Sequence, residues 1–178
     1  MIFSQYQQAV RDRLLSDAWF ADDSTTLSGV PVLAEDRQDL ATEVNNSLYK
    51  LGIVGVVLEP QVRSGERGNE AIVTTILSFA EAVNSNRARD NAKTAQQACA
   101  KALALLLEWT PDEDVWTPLQ FVKLEPAGVS EDGSVVLWAL EMTTLTDLEV
   151  AIFVVANEGG TPLADQHGNP LLVSPTDP

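Results

Sequence analysis

The chain has very little of the chemistry that marks a catalytic site. Its 178 residues hold one cysteine, Cys99, and one histidine, His167. A single cysteine excludes an intrachain disulfide framework, and a lone histidine leaves a His-rich zinc site or a Ser-His-Asp triad little to stand on. His167 lies in the Gly168-Asn169-Pro170 stretch, which reads as a surface turn. No Walker loop, GxGxxG or GxSxG motif is present, and the carboxylates in ADDS, PDED and SEDG lack the spacing of an EF-hand loop. No apolar run approaches the roughly 20 residues that span a bilayer. The opening MIFSQYQQAVRDRLL has no basic segment ahead of an apolar one, so no signal peptide is read and action in a cytoplasm is expected.

Basic residues are scarce too. Eleven Lys and Arg face 26 Asp and Glu, a formal net charge of -15. Such a surface repels nucleic-acid phosphates and anionic membranes, so neither a membrane nor sequence-specific DNA is expected as a partner. The bases are unevenly placed. Arg87, Arg89, Lys93 and Lys101 are expected on one long helix, and Asp112, Glu113 and Asp114 follow it. Either this is a solvated helix face beside an acidic loop, or the two sets are complementary edges that meet between identical subunits.

What is present in quantity is apolar patterning, and its centre is Ala71 to Trp109. Ile72 to Phe79 is rich in β-branched residues and apolar on both faces, which predicts a central strand covered on both sides. After Asn84-Ser85-Asn86 a long helix is predicted, with Ala92, Ala95, Cys99, Ala102, Leu103 and Leu106 on one apolar face. Cys99 on that face reads as a buried, inert thiol.

Before this centre, Ser4 to Phe20 reads as a helix with Tyr6, Val10, Leu14 and Leu15 inward and Gln7 and Arg11 outward. Val30 to Ala34 is a short strand that Pro31 assigns to an edge. A helix capped at Asp36 or Asp39 runs to Leu51 and ends at Gly52. Ile53 to Leu58 is a buried strand, and Val62 to Asn69 turns between antiparallel strands. After the centre, Leu119 to Leu124 and Ser134 to Thr143 are strands joined by the Asp132-Gly133 hairpin signal, with Val136, Trp138, Leu140 and Met142 on one face. The order α-β-α-β-β-α-β-β predicts an α+β fold, a mostly antiparallel central sheet flanked by helices. Residues 1–146 form one domain, and 147–178 form a C-terminal extension, either a hairpin or an arm.

Four stretches together resemble the tail-terminator, or tail-completion, proteins of long-tailed bacteriophages. They are the opening amphipathic helix followed by the helix and strand of SLYKLGIVGVVLEP; the strand leading into EAVNSNR (Glu81 to Arg87), similar to an E-x-V-x-x-N-R pattern; the Ala-rich helix ending LLLEWTPDEDVWTPLQF, with Trp109 and Trp116 flanking an acidic loop; and the final hairpin ending VLWALEMTT. Together they span about residues 3 to 146; the extension matches nothing in the family pattern. The resemblance implies a non-enzymatic virion protein with no cofactor or metal. It implies a homo-hexameric ring that caps the tail tube, ends tube polymerisation and meets a neck or head-completion protein. It places the chain in the tail or neck of a virion assembled in a host cytoplasm, with DNA passing through the ring. Within that ring, Arg87, Arg89 and Lys93 are expected to face Asp112, Glu113 and Asp114 of the next subunit. Another neck or head–tail joining protein is the alternative, and a small-ligand module or enzyme is the alternative from a different class.

Overall fold

The computed structural model describes residues 3–22, 28–36, 38–66, 70–84, 92–112 and 116–147. Among them, three helices flank a seven-stranded sheet that is mostly antiparallel, an α+β fold. In chain order the elements are α1 (Phe3–Leu15), β1 (Phe20–Ala21), β2 (Val30–Ala34), α2 (Leu40–Leu51), β3 (Ile53–Val57), β4 (Gln61–Ser64), β5 (Glu70–Ala82), α3 (Ala95–Leu106), β6 (Gln120–Val129) and β7 (Val135–Asp147). The strands lie in the order β1-β2-β3-β5-β7-β6. β1, β2 and β3 are parallel to one another, and the remaining pairings are antiparallel. β3 and β4 share one edge of β5, β3 along Leu77–Glu81 and β4 along Ala71–Thr74. Pro60, which has no N–H to donate, falls in the break between them.

α1 and α3 pack on one face of the sheet and on each other. Tyr6, Val10 and Leu14 from α1 meet Ala98, Cys99, Ala102 and Leu106 from α3 over Val73, Leu77, Phe79, Leu140 and Met142. The small residues of α3 let its axis approach the strands closely, as the Ala-rich pattern implies. α2 packs on β2, β3 and part of β5. There Leu33 and Val54 are fully buried outside the main cluster, so β2 and β3 are covered on both faces.

Several expectations are corrected. The first helix ends at Leu15 and not at Phe20. The Asp17 carboxylate accepts the Trp19 N–H at 2.9 Å, and the chain turns so that Phe20 enters the core 6.2 Å from Phe79. Gln7 and Arg11 point inward. Gln7 Nε2 donates to the Val57 carbonyl at 2.8 Å and Arg11 Nε to the Val32 carbonyl at 2.9 Å. Their amides and guanidinium pair with strand carbonyls, which makes their burial tolerable. β2 is not the edge strand, because the two-residue β1 lies beyond it. β4 occupies part of the stretch expected as a turn. The last helix begins at Ala95, after Ala92 and Lys93. Thr94 caps it through a reciprocal pair, its hydroxyl accepting from Gln97 N while Gln97 Oε1 accepts from Thr94 N. Gly52 ends α2 as expected, with φ 74° and its N–H on the Leu48 carbonyl. The hairpin at Asp132-Gly133 also forms, with Gly133 at φ 68°.

Candidate interaction surface

β5 and β7 pair over their whole length, from Glu70↔Asp147 to Ala82↔Val135. On β5 the residues alternate strictly. Ala71, Val73, Thr75, Leu77, Phe79 and Glu81 are buried toward α1 and α3. Ile72, Thr74, Ile76, Ser78 and Ala80 on the opposite face are only half-buried. The expectation of a strand covered on both sides is therefore corrected for β5. Cover on that second face comes from α2, which sits over β2 and β3. The opposing residues of β7, Leu137, Ala139, Glu141 and Thr143, are half-buried as well, and Leu145 is exposed. The result is a sheet face of mixed Ile, Leu, Ala and Thr character that α2 meets only in part along β5.

β6 borders this face as the last strand of the sheet on that side among the described residues. Phe121, Val122 and Val129 are exposed on it. Its pairing with β7 slips twice, between Phe121 and Lys123 and between Pro126 and Gly128. Charge on the face is partly paired, one lysine against two glutamates. Lys123 Nζ lies 2.8 Å from Glu125 Oε1 and 3.3 Å from Glu141 Oε2, and these bonds, Glu125 first, raise the lysine above its ordinary pKa. Sequence reasoning missed this surface. Its trace is the second apolar set on β5, Ile72, Ile76 and Ala80, which points away from α1 and α3.

The residues expected at a subunit boundary are placed as follows. Arg87, Arg89, Glu113 and Asp114 lie outside the described residues. Lys93 precedes α3 and is engaged within the fold. Its Nζ donates to the carbonyls of Ser28 at 2.7 Å and Trp19 at 3.1 Å, and lies 4.6 Å from the centre of the Trp19 ring. Partial burial lowers its pKa, against the opposing pull of Asp17. The Asp112 carbonyl accepts the Trp116 N–H at 2.9 Å. Lys101 forms an ion pair with Asp17 at 2.6 Å, joining α3 to the turn after α1.

Two residues of the family-like stretches have definite structural work. Glu81, buried at the end of β5, accepts the Ala95 N–H at 2.9 Å. A carboxylate at a helix N-terminus meets both free N–H groups and the positive end of the helix dipole. Trp116 stacks on Tyr6 with ring centroids 4.5 Å apart. Tyr6 in turn shares a hydrogen bond with Thr75 of β5, and burial pushes its phenol up to about 12 against that bond.

Elsewhere, Gln8, Arg11, Asp22, Ala34 and Asp36 line a shallow polar depression of about 230 Å³. Its guanidinium is already paired with Asp22 and bonded to Val32. The volume falls below the roughly 300–1,000 Å³ usual for small-molecule sites. Among the described residues no three His, Cys, Asp or Glu side chains converge as metal ligands, and no helix is long and apolar enough to cross a membrane. A scan against models of protein families finds no match to this chain, and a search of curated proteins finds no similar sequence.

Proposed function

We propose that this chain is a tail-terminator subunit: six copies form a ring that caps a phage tail tube, stops its growth and presents a surface to the neck. The observation that carries the reading is how the four family-like stretches sit in one unit. The first gives α1 and, in Ser47 to Pro60, the end of α2 and β3; the second ends β5, and its Glu81 accepts the Ala95 N–H at the start of α3, the third. The fourth is β7, which completes the open face with β5 and β6. The stretches that resemble the family thus include helices of both layers and the strands β3, β5 and β7 at the middle of the sheet.

The charge supports the same role. A channel lined by acidic subunits repels DNA phosphates, so DNA slides through without adhering. Self-assembly into a closed ring needs two different patches on each subunit, and the half-buried face of β5 and β7 is a candidate for one. The location that follows is the virion, at the junction of tail and head.

The deciding experiment is tail assembly in a phage lacking this gene, viewed by electron microscopy. The terminator role predicts overlong tubes or tails that fail to join heads, restored by supplying the protein. Tubes of normal length attached to heads refute it. Headless tails of normal length would instead favour a joining protein that acts after length is set.

A further inference from the structure

We propose that the free chain pairs with a second copy of itself about a two-fold axis, α2 of each copy seating on the half-buried face of β5 and β7 of the other. The inference goes beyond the ring reading and does not rest on it. A closed ring joins unlike patches head to tail, whereas this contact is the same on both copies.

α2 supplies a ridge. It turns Ser47 and Leu51 toward the sheet, and Ala41, Asn45 and Tyr49, spaced four apart, share the exposed side with Thr42. None of these four is charged, in a chain with 26 acids. Tyr49 is 86% exposed, the most exposed large apolar side chain among the described residues. A tyrosine standing this far out does little for its own fold, and tyrosine is enriched among the residues that anchor interfaces.

The groove lies beside the ridge, on the same side of the sheet. α2 covers β2, β3 and part of β5, and the floor continues past it through Ile76, Ser78 and Ala80 of β5 and Leu137 and Ala139 of β7, all half-buried. From β5 across β7 to β6 is two strand spacings, about 10 Å. A helix with its side chains is about 10–12 Å across. The 12 residues of α2 are about 18 Å long, well within the about 43 Å of the 13-residue β7. A two-fold axis between ridge and groove fills both grooves at once, so every contact counts twice. Burying Tyr49 alone removes about 150–250 Å² on each copy, roughly a quarter of the about 800 Å² per partner in a standard interface.

Charge agrees in sign. The floor ends at Lys123 with two glutamates, Glu125 and Glu141, an excess of one negative charge. Lys50, next to Tyr49, is exposed and makes no ion pair with a described residue. The ridge thus brings a base to an acidic groove, and its uncharged stripe keeps acid away from acid in two copies at -15 each. In the free protein this dimer covers the face that a ring neighbour would take, so the copies must part before a ring closes.

Sedimentation equilibrium of the full-length chain measures the dimer. Tyr49→Asp should leave the melting temperature unchanged and raise the dimer dissociation constant about 10- to 100-fold, the loss of an anchoring side chain. In parallel, Tyr49→Cys is mixed with Ile76→Cys, Ala139→Cys or Thr143→Cys, each a separate protein, and oxidised. Peptide mapping separates the new linkages from any at Cys99. The expected result is a disulfide from position 49 of one chain to one of the three positions of the other. A wild-type chain that stays monomeric up to about 1 mM, or a dimer indifferent to Tyr49→Asp, overturns the proposal. So does a face already closed by residues 148–178 of the same chain, in which case the three cysteines resist a small thiol reagent in the monomer and none links to position 49. Assembly straight from monomer to hexamer also overturns the dimer and leaves the ring reading standing. The tail-assembly experiment decides that reading whichever way the dimer falls.

Discussion

Gly55→Ala adds one methyl group, and the structure makes it costly. Gly55 of β3 stands directly across from Phe79 of β5. A Cβ placed on Gly55 falls 2.4 Å from Phe79 Cε1 and 2.8 Å from Cδ1, against an ordinary contact of at least 3.4 Å. The ring must retreat by about 1 Å, well into the repulsive side of a carbon–carbon contact. It has little room. Phe79 is fully buried, with Phe20 on one side at 6.2 Å between centroids. Overpacking of a closed core costs about 1–3 kcal/mol. In a chain of this size that lowers the melting temperature by about 2–4 °C per kcal/mol.

Urea unfolding at fixed protein concentration, followed by the fluorescence of the four tryptophans, measures the effect. The coupling is tested by a cycle with Phe79→Leu. That change alone leaves space where the ring was and destabilises. In the double variant the added methyl enters the space, so the pair should be at least about 1 kcal/mol more stable than the sum of the single losses. A neutral Gly55→Ala, within about 0.5 kcal/mol of wild type, refutes the close approach of β3 to the Phe79 ring. Strict additivity refutes the assignment of the cost to that ring.

Leu106→Ala should cost about 2–5 kcal/mol, because Leu106 is fully buried, and Leu103→Ala should cost less, because Leu103 is half-buried; equal losses in urea unfolding contradict the register of α3. Lys93→Glu should lower the melting temperature through loss of the Trp19 and Ser28 bonds; a variant that weakens assembly at unchanged melting temperature contradicts this internal role. Asp132→Asn tests the hairpin tip, where bonds from Ser130 and then Ser134 hold the carboxyl down to about 2, so its contribution is present above the ordinary 3.8 and fades as pH falls to 2. Wild type and variant should therefore converge in stability near pH 2. Burial pushes the Cys99 thiol up to about 12 from an ordinary 9.0, and the Tyr6 phenol up to about 12 from 10.0. The unfolded chain releases these protons first, so stability should fall as pH rises from about 9 toward 12, and less steeply above 10 in Tyr6→Phe.

The sequence was most legible where one physical rule acts alone. Gly52 after an apolar helix ended α2, and Asp132-Gly133 between apolar runs turned a hairpin. The face carrying Val136, Trp138, Leu140 and Met142 is the inward face of β7, with Trp138 half-buried and packed against the core. Legibility failed where tertiary partners decide. Gln7 and Arg11 are polar and read as outward-facing, yet carbonyls of β3 and β2, 50 and 21 residues along the chain, draw them in. The start of α3 was legible and overlooked: Thr94-x-x-Gln97 is a capping box, and it places Lys93 outside the helix. Of the six residues assigned to a subunit boundary, only Lys93 and Asp112 are among those described, and Lys93 is held inside its own subunit.

The error on β5 is the most informative, because it separates two meanings of an apolar strand. β2 and β3 are apolar on both faces and are buried on both, since α2 covers what α1 and α3 do not. β5 carries Ile72, Ile76 and Ala80 on its second face, and the described part of the subunit leaves them half-buried. An antiparallel strand that faces water normally alternates apolar with charged or strongly polar residues. β5 instead alternates apolar with Ile, Thr, Ser and Ala, a face less polar than water calls for and less apolar than a permanent core. Half-apolar faces of this kind are what reversible or late-formed contacts use, because the subunit has to stay soluble before its partner arrives. In the proposed ring, the second face of β5, which α2 meets only in part, is where a neighbouring subunit would pack. The fold and the proposed assembly meet on that face, which is why substitutions at Ile76 or Leu145 should alter association more than folding, while those at Leu77 or Phe79 should do the reverse.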